Sequence, residues 1–251
     1  MTTIYEGDVL ELLQTLPDNS ADYILADPPY FIGFDGGKGW DSQWRSEDEY
    51  LEWCRTWTDE ASRVLRPGRT LTVFGTLKTD TFLRYKLDVL GESGLQDHGE
   101  IIWSYNWGGR SKKDFARKHE YAWNYSKGRE YLFNGDDVRV ERKMKNNPRT
   151  GKAFTQGTIP TRVWEFNNHT TSKDFVNWHP TTKNLSVLER LIRGYSNPGD
   201  TVLDLFSGSG SAGVAALRAG RKYLGVELDS EFVIRSRERL NKEGGAQFDD
   251  L

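Results

Sequence analysis

The stretch Thr201–Gly213, TVLDLFSGSGSAG, joins a short apolar run to three glycines in the spacing G-x-G-x-x-G. The apolar run predicts a buried strand, and the alanine-rich residues that follow predict a helix ending near residue 219. Glycines between a strand and a helix allow a tight turn and let a nucleotide-like ligand approach the backbone. This stretch therefore predicts an α/β protein with a ligand at the end of one strand.

Two acidic residues accompany this glycine loop. Asp204 stands at the end of the predicted strand, and Glu227 follows Gly208 by nineteen residues, at the end of the next predicted strand. A carboxylate at the position of Glu227 can accept hydrogen bonds from both hydroxyls of a ribose. Because Asp204 is expected to be a buried anion beside the turn, it suits a cationic ligand better than a pyrophosphate.

A dinucleotide is the alternative ligand for the same glycine spacing. Only about forty residues follow the loop, so the second half of a dinucleotide-binding fold has no chain downstream to form it. S-Adenosylmethionine satisfies the loop without phosphate recognition, because its ribose can bind Glu227 and its cationic end can face Asp204. Asp8, which ends the first predicted strand, could accept from the adenine amino group or could cap the helix that follows.

A second predicted strand stops abruptly within Ile24–Phe31, ILADPPYF. Neither proline can donate a hydrogen bond to a sheet, so the strand must end there. The corner then presents the carboxylate of Asp27, the carbonyl of Pro28 and the ring of Tyr30. Such a corner can hold a planar amine, because the acid and the carbonyl can each accept one amino hydrogen.

Strands and helices alternate along most of the chain, which indicates a mostly parallel sheet. The predicted strands are TIYEGD, DYILAD, TLTVFG, EIIWSYNW, EYAWNYSKG, TVLDLF and KYLGVEL. Besides a short LELLQTL helix and the helix after the glycine loop, the predicted helices cover Glu47–Leu65, Leu77–Leu90, Leu185–Tyr195 and Glu231–Asn241. From about Arg129 to Trp178 the periodicity is lost, which predicts an inserted, loop-rich lobe.

Charge is distributed unevenly along the chain. The formal net charge is −3, but residues 106–183 hold 16 Lys and Arg against 8 Asp and Glu, and the remainder holds 18 against 29. A basic middle segment on an acidic scaffold favours a nucleic-acid partner. The N-terminus lacks the pattern of a signal peptide, and the sequence has no apolar run long enough for a transmembrane helix. With only one cysteine, Cys54, we expect a cytoplasmic protein without intrachain disulfides.

Together, DPPY at Asp27–Tyr30 and DLFSGSG at Asp204–Gly210 resemble the motifs of amino-group DNA methyltransferases, which form N6-methyladenine or N4-methylcytosine. HPTTKN at His179–Asn184 resembles the segment that precedes the cofactor loop in this family. The catalytic corner comes first, the basic lobe second and the cofactor loop last, an order similar to the circularly permuted β class. The chain departs from the family at Leu205, where proline is common, and within HPTTKN, where HPTQKP is common.

The resemblance implies an α/β, Rossmann-like S-adenosylmethionine-dependent methyltransferase fold, circularly permuted, with a mixed, mostly parallel seven-stranded sheet and an inserted target-recognition lobe. It divides the chain into a catalytic half (1–128), the lobe (129–178) and a cofactor-binding half (179–251). The implied catalytic residues are Asp27, Pro28, Pro29 and Tyr30. The implied cofactor-binding residues are Asp8, Asp204, Phe206, Gly208, Gly210, Glu227 and Lys183. The implied DNA-binding residues are Lys112, Lys113, Arg142, Lys143, Lys145 and Arg149, and no metal site is implied.

The resemblance also implies an enzyme that methylates the N6 amine of an adenine flipped out of double-stranded DNA, with Tyr30 as a stacking face for the base. N4-cytosine is the alternative target, since both amines offer two hydrogens to the same acceptors, although Asp27 favours adenine. A non-catalytic DNA-binding module is a second alternative. Methylation at cytosine C5 would need a thiolate, whereas Cys54 is predicted to be a core residue. A homodimer and a cognate restriction endonuclease are possible partners.

Overall fold

The computed structural model describes residues 2–34, 36–106, 108, 110–167 and 174–243. Within these residues there are eight strands and six α-helices. The strands are β1 (Thr2–Glu6), β2 (Ala21–Ala26), β3 (Leu65–Gly75), β4 (Gln96–Ser104), β5 (His119–Ser126), β6 (Val163–Glu165), β7 (Thr201–Asp204) and β8 (Lys222–Glu227). The helices are α1 (Val9–Thr15), α2 (Glu47–Val64), α3 (Asp80–Arg84), α4 (Leu185–Tyr195), α5 (Ser211–Arg218) and α6 (Ser230–Lys242).

All eight strands belong to one mixed sheet with the order β1-β8-β7-β2-β3-β5-β4-β6. β5 runs antiparallel to both of its neighbours, β3 and β4, and every other pair is parallel. The mostly parallel sheet expected from the sequence is confirmed, with one strand more than the seven expected. The added strand is β6, which comes from the predicted lobe and pairs with β4, while its Trp164 side chain is buried.

Two apolar cores lie on opposite faces of the sheet. Alternate residues of β2 point to different faces, so that Ile24 packs with α1 and α2, while Leu25 packs with α4, α5 and α6. A strand covered by helices on both faces has no polar side, which explains why ADYILA is buried throughout. The sheet is therefore a rigid support for the loops at its edge.

The central pair of strands brings the two sequence motifs together. β2 is paired in parallel with β7, and Leu25 lies opposite Asp204. The backbone N–H of Leu205 also donates to the carbonyl of Leu25 at 2.9 Å. Because parallel strands end at the same edge of a sheet, the DPPY corner after β2 and the glycine loop after β7 lie side by side.

The observed helices match those predicted from the apolar periodicity where one face of the helix packs against the sheet. α4 covers the predicted residues, and Asn184 caps it by accepting from the N–H groups of Ser186 and Val187. The helix predicted over Leu77–Leu90 is different, because it begins only after Thr79, whose hydroxyl accepts from Phe82 N–H. It then continues as a wider turn over Tyr85–Val89 and a tighter one over Leu90–Glu92.

The loop-rich part of the predicted lobe is residues 139–162, which contain only isolated β-bridges at Val140–Thr158 and Asn146–Ala153. The residues before them pack on the main domain, since Leu132 N–H donates to Gly68 O at 3.0 Å and Asn134 N–H donates to Gly194 O at 2.8 Å. Residues 168–173 of the predicted lobe and 244–251 of the predicted cofactor half lie outside the described residues. No helix in the described part of the chain is long and apolar enough to span a membrane.

Candidate active site

A cavity at the carboxyl edge of β2 and β7 is lined by residues from both motifs. The DPPY corner contributes Asp27 and Pro29, and the region of the glycine loop contributes Asp204, Gly208 and Glu227. Asp8, Lys183 and Phe206 also line this cavity. The structure therefore brings most of the predicted catalytic and cofactor-binding residues to one cavity, whereas Pro28, Tyr30 and Gly210 do not line it.

The glycine loop has backbone φ angles at which any residue other than glycine would be strained. Gly208 and Gly210 have φ of 50° and 70°, in the left-handed region. A Cβ on Gly208 would lie 2.8 Å from His179 Nε2, and a Cβ on Gly210 would lie 3.0 Å from Ser236 Cβ. The glycines thus permit both the tight turn into α5 and the close approach of His179.

His179 packs beneath the loop. Its ring lies 4.7 Å from the ring of Phe232, between centroids, and its Nδ1 accepts from Thr181 N–H at 3.3 Å. Burial lowers the pKa of His179 to about 4, so the imidazole is neutral near pH 7. These contacts give His179 a packing role in the loop.

Two acids line the part of the cavity beside the glycine loop, the buried Asp204 and the half-buried Glu227. Glu227 accepts from Gly208 N–H at 2.7 Å and from Asp229 N–H at 2.9 Å, and burial raises its pKa. Asp204 accepts from the Tyr223 hydroxyl at 2.8 Å, and burial raises the pKa of Asp204 to about 7. A cationic group beside Asp204 would favour its ionised form, which matches the predicted preference for a cationic ligand.

Asp8 and Phe206 complete the cofactor side. Asp8 caps α1, since its Oδ1 accepts from Leu10 N–H at 2.7 Å, as one of the two roles considered for it requires. Asp8 also borders the cavity, which the other role, binding of the adenine amino group, requires. The Phe206 ring packs against Trp53 and Trp57, with centroids 5.7 and 5.5 Å away. These rings fix Phe206 at the cavity wall.

The DPPY corner is held by contacts to its carboxylate and to its backbone. Tyr30 donates its hydroxyl to Asp27 Oδ1 at 2.9 Å, and burial together with this anion raises the pKa of Tyr30 well above its ordinary value. The Tyr50 hydroxyl donates to Pro29 O at 2.7 Å, and Pro28 is buried. The corner is therefore rigid before any substrate contacts it.

Asp41 fixes the chain directly after this corner and was not identified from the sequence. Its buried carboxylate accepts from the backbone N–H groups of Phe31, Ile32 and Phe34 at 2.6, 2.8 and 3.0 Å. The first of these residues has φ of 52°, which needs such support. Asp41 lies in a glycine-rich loop without periodicity, so no sequence pattern distinguishes it from an exposed turn residue.

Lys183 contacts the catalytic corner and not only the cofactor side expected from the sequence. Its Nζ lies 2.7 Å from Asp27 Oδ2 and 3.4 Å from Glu120 Oε2, and it faces the Tyr30 ring at 5.5 Å. The two anions hold the pKa of Lys183 above its ordinary value in spite of burial. Glu120, at the start of β5, was also missed, because its position at this edge depends on the antiparallel direction of that strand.

The six predicted DNA-binding cations lie in two segments. Lys112 and Lys113 are exposed in the connection between β4 and β5, which leaves the sheet at the edge that carries Asp27. Lys143, Lys145 and Arg149 are exposed within residues 139–162. Arg142 is engaged inside that segment, because its guanidinium lies 4.0 Å from the centroid of the Phe154 ring and its Nε donates to Gln156 O at 3.0 Å.

Cys54 lies in α2 and is buried in the apolar core. Burial raises the pKa of its thiol well above the ordinary value. A thiol in this position is not a nucleophile at neutral pH, which is consistent with the core position predicted for Cys54.

A cofactor-type glycine loop and a DPPY corner on adjoining parallel strands define the class of Rossmann-like methyltransferases that use S-adenosylmethionine. The family model of DNA methylases, comprising the N6 and N4 methyltransferases, matches residues 21–238, and the chain belongs to this family. The resemblance identified from the sequence is thus confirmed.

Individual relatives fall within the same family. The DNA adenine methyltransferase YhdJ of Escherichia coli is 33% identical over 95% of this chain and 82% of its own length. The type II methyltransferase M.HpaI of Haemophilus parainfluenzae is 31% identical over 94% of this chain and 73% of its own length. Among solved structures, the cytosine-N4-specific PvuII DNA methyltransferase has a TM-score of 0.75 at 20% identity, covering 99% of this chain and 89% of its own. The M1.HpyAVI–SAM complex has a TM-score of 0.66 at 24% identity, covering 96% of this chain and all of its own.

Proposed function

We propose that this DNA methyltransferase transfers a methyl group from S-adenosylmethionine to the N6 amine of adenine in double-stranded DNA. The observation that carries the proposal is the position of Asp27. Its carboxylate lies at the end of β2, beside the glycine loop after β7, and lines the same cavity as Glu227 and Asp204. A target amine at Asp27 is thereby placed next to the methyl donor.

The residues of the cavity fit the cofactor. Glu227 would accept from the ribose hydroxyls, Asp8 from the adenine amino group, and Asp204 would face the cationic methionine end. The glycine loop supports this assignment, because Gly208 lines the cavity and a glycine there lets a nucleotide-like ligand approach the backbone. S-Adenosylmethionine supplies the methyl group, and M1.HpyAVI, a structural neighbour, has been solved as its complex.

The catalytic task of the corner is to make an exocyclic amine nucleophilic. The lone pair of such an amine is delocalised into the base, and acceptors for both hydrogens favour a pyramidal nitrogen with a localised lone pair. Asp27 and the carbonyl of Pro28 supply these acceptors. Holding the amine in line with the methyl group can contribute up to roughly 7–11 kcal/mol, and no covalent enzyme intermediate is needed.

Adenine is proposed as the target because DPPY with aspartate is commoner in N6-adenine enzymes of the family. YhdJ, an adenine methyltransferase, supports this choice at 33% identity. The second candidate is N4-cytosine, which the fold of the cytosine-N4-specific PvuII enzyme favours. A non-catalytic module is disfavoured, since Asp27, Tyr30 and Glu227 are all in place around one cavity or beside it.

The target base must leave the duplex to reach Asp27. The exposed cations on residues 110–118 and 139–162 would bind the DNA backbone, and Tyr30 would provide a stacking face for the flipped base. Its ring packs edge-on against Phe82, with centroids 4.8 Å apart, and so has a fixed direction.

We expect the double variant Lys143→Ala/Lys145→Ala to bind DNA with a weaker salt dependence, the slope of log K against log salt changing by about 1 per lost phosphate contact. Both lysines are exposed in the lobe. The measurement is the affinity for duplex DNA by fluorescence anisotropy from low to moderate salt. Lys222→Ala/Lys242→Ala, also exposed but outside the basic segment, is the matched control. An unaltered slope in the lobe variant would place its lysines away from phosphate.

The reaction itself is tested by incubating the purified protein with S-adenosylmethionine and unmethylated duplex DNA of mixed sequence. The DNA is digested to nucleosides, and methylated products are identified by mass spectrometry. We expect N6-methyladenine. Formation of N4-methylcytosine would support the same mechanism but would show that cytosine is the target base. If neither methylated nucleoside formed, the proposal would be contradicted. A homodimer, a cognate endonuclease and a cytoplasmic location remain predictions.

A further inference from the structure

The carboxylate of Asp27 already has a donor on each oxygen. Tyr30 donates to Oδ1 at 2.9 Å, and the Lys183 ammonium lies 2.7 Å from Oδ2. An amine that enters the corner must therefore share or replace one of these donors. The ammonium is the stronger competitor, because a charge-assisted contact withdraws more electron density from the carboxylate than a neutral hydroxyl does. Lys183 in this position opposes the function proposed for Asp27.

Glu120 offers the same ammonium a second anion. Its Oε2 is buried, lies 3.4 Å from Lys183 Nζ, and accepts no hydrogen bond from any residue that the structure describes. Glu120 stands on β5, opposite Trp103 and one residue before Tyr121, which pairs with Gly75 at the end of β3. A small movement of the lysine side chain would close the contact to Glu120.

We propose that Glu120 is a positioning residue for methyl transfer, which draws the Lys183 ammonium away from Asp27 as the target amine binds. The inference rests on the proposed function, since it assumes an amine at Asp27. One cation lies between two carboxylates, so its transfer from Asp27 to Glu120 replaces one ion pair with another. Both oxygens of Asp27 then face only the Tyr30 hydroxyl and the amine.

The charge of Glu120 is essential to this role. Glutamine has the same shape but no charge, so in Glu120→Gln the ammonium would stay on Asp27. We expect Glu120→Gln to lower the single-turnover rate of methyl transfer by about 30-fold, with the dissociation constant of S-adenosylmethionine within threefold of the wild-type value. Glu120→Asp keeps the charge and should recover much of the lost rate. The matched control is Glu100→Gln on the neighbouring strand β4, which alters a 3.7 Å ion pair with Lys86 and should leave the rate unchanged.

Removal of the Lys183 ammonium, which competes with the target amine for Asp27, gives the sharpest test. The double variant Glu120→Gln/Lys183→Met has no ammonium to hold away from Asp27, so it should transfer methyl groups at least tenfold faster than Glu120→Gln alone. A merely structural role for Glu120 predicts the opposite, because a second buried change would add to the first.

The rates are measured with tritiated S-adenosylmethionine and unmethylated duplex DNA of mixed sequence, and cofactor binding is measured by calorimetry as a check on folding. A wild-type rate in Glu120→Gln would overturn the inference, and so would an equal or slower rate in the double variant. Equal losses of rate in Glu120→Asp and Glu120→Gln, together with weakened cofactor binding, would assign Glu120 a structural role. If the wild-type protein formed no methylated nucleoside, the proposed function would fail instead.

Discussion

Replacement of Asp27 by alanine is expected to lower the rate of methyl transfer by about 100- to 1000-fold while cofactor binding stays within threefold. In the proposed mechanism the carboxylate is the charged acceptor of the corner, and loss of one preorganised polar group at a reacting centre costs about 100- to 1000-fold. Cofactor binding should persist, because Glu227 and the glycine loop hold their own contacts without Asp27. Single-turnover methyl transfer and calorimetric binding of S-adenosylmethionine provide the two measurements.

The variant should fold, since removal of Asp27 leaves the Lys183 ammonium beside Glu120. Asp59→Ala, which removes an exposed carboxylate from α2, is the control and should have the wild-type rate. Loss of cofactor binding in Asp27→Ala would show that the corner belongs to the cofactor site and that the catalytic assignment is wrong. A rate near that of the wild type would exclude Asp27 as the acceptor.

The parts of the fold that follow from local patterns could be predicted from the sequence. α4 lies over the predicted residues because its apolar positions repeat with the helical period and Asn184 supplies a cap. β2 and its abrupt end follow from the apolar stretch YILA, which is followed by Asp27 and two prolines. A shared site for Asp27 and Asp204 is implied only by the resemblance, and the structure supplies the reason, since β2 and β7 pair in parallel.

Features that depend on distant pairing could not be predicted in this way. β6 has only three residues, and it becomes a strand because the open edge of β4 is available to it. The helix predicted to continue to Leu90 passes instead into a wider turn over Tyr85–Val89 and a tighter turn over Leu90–Glu92. Neither feature has a signal in the local order of residue types.

The same limit applies to the active site. Lys183 was assigned to the cofactor from its motif, yet its nearest anions are Asp27 and Glu120, which are 156 and 63 residues away in the sequence. Asp41 was missed because its three backbone donors are set by the shape of the loop after Tyr30. A motif thus indicates which residues are candidates for the chemistry, whereas the pairing of distant strands determines which charged side chains lie next to one another.

Replacement of Glu227 by alanine is expected to raise the dissociation constant of S-adenosylmethionine by about 100-fold. Two hydrogen bonds from ribose hydroxyls to a carboxylate would be lost, each worth about 1.5 kcal/mol or more, and every 1.4 kcal/mol changes an affinity about tenfold. The loop would also loosen, because Glu227 accepts from Gly208 N–H and Asp229 N–H. At saturating cofactor the methyl transfer rate should change by no more than about threefold, since Asp27 and its contacts are unaltered.

Calorimetric titration with S-adenosylmethionine measures this effect, and Glu6→Ala is the matched control. Glu6 lies opposite Glu227 in the pairing of β1 with β8, and its side chain is exposed. Glu227→Gln keeps the size of the side chain but replaces one acceptor oxygen with a donor, so its affinity should fall between that of the wild type and that of the alanine variant. An unchanged dissociation constant in Glu227→Ala would remove Glu227 from the ribose site. A large loss of rate at saturating cofactor would mean that the glycine loop also positions the methyl group for transfer to the amine at Asp27.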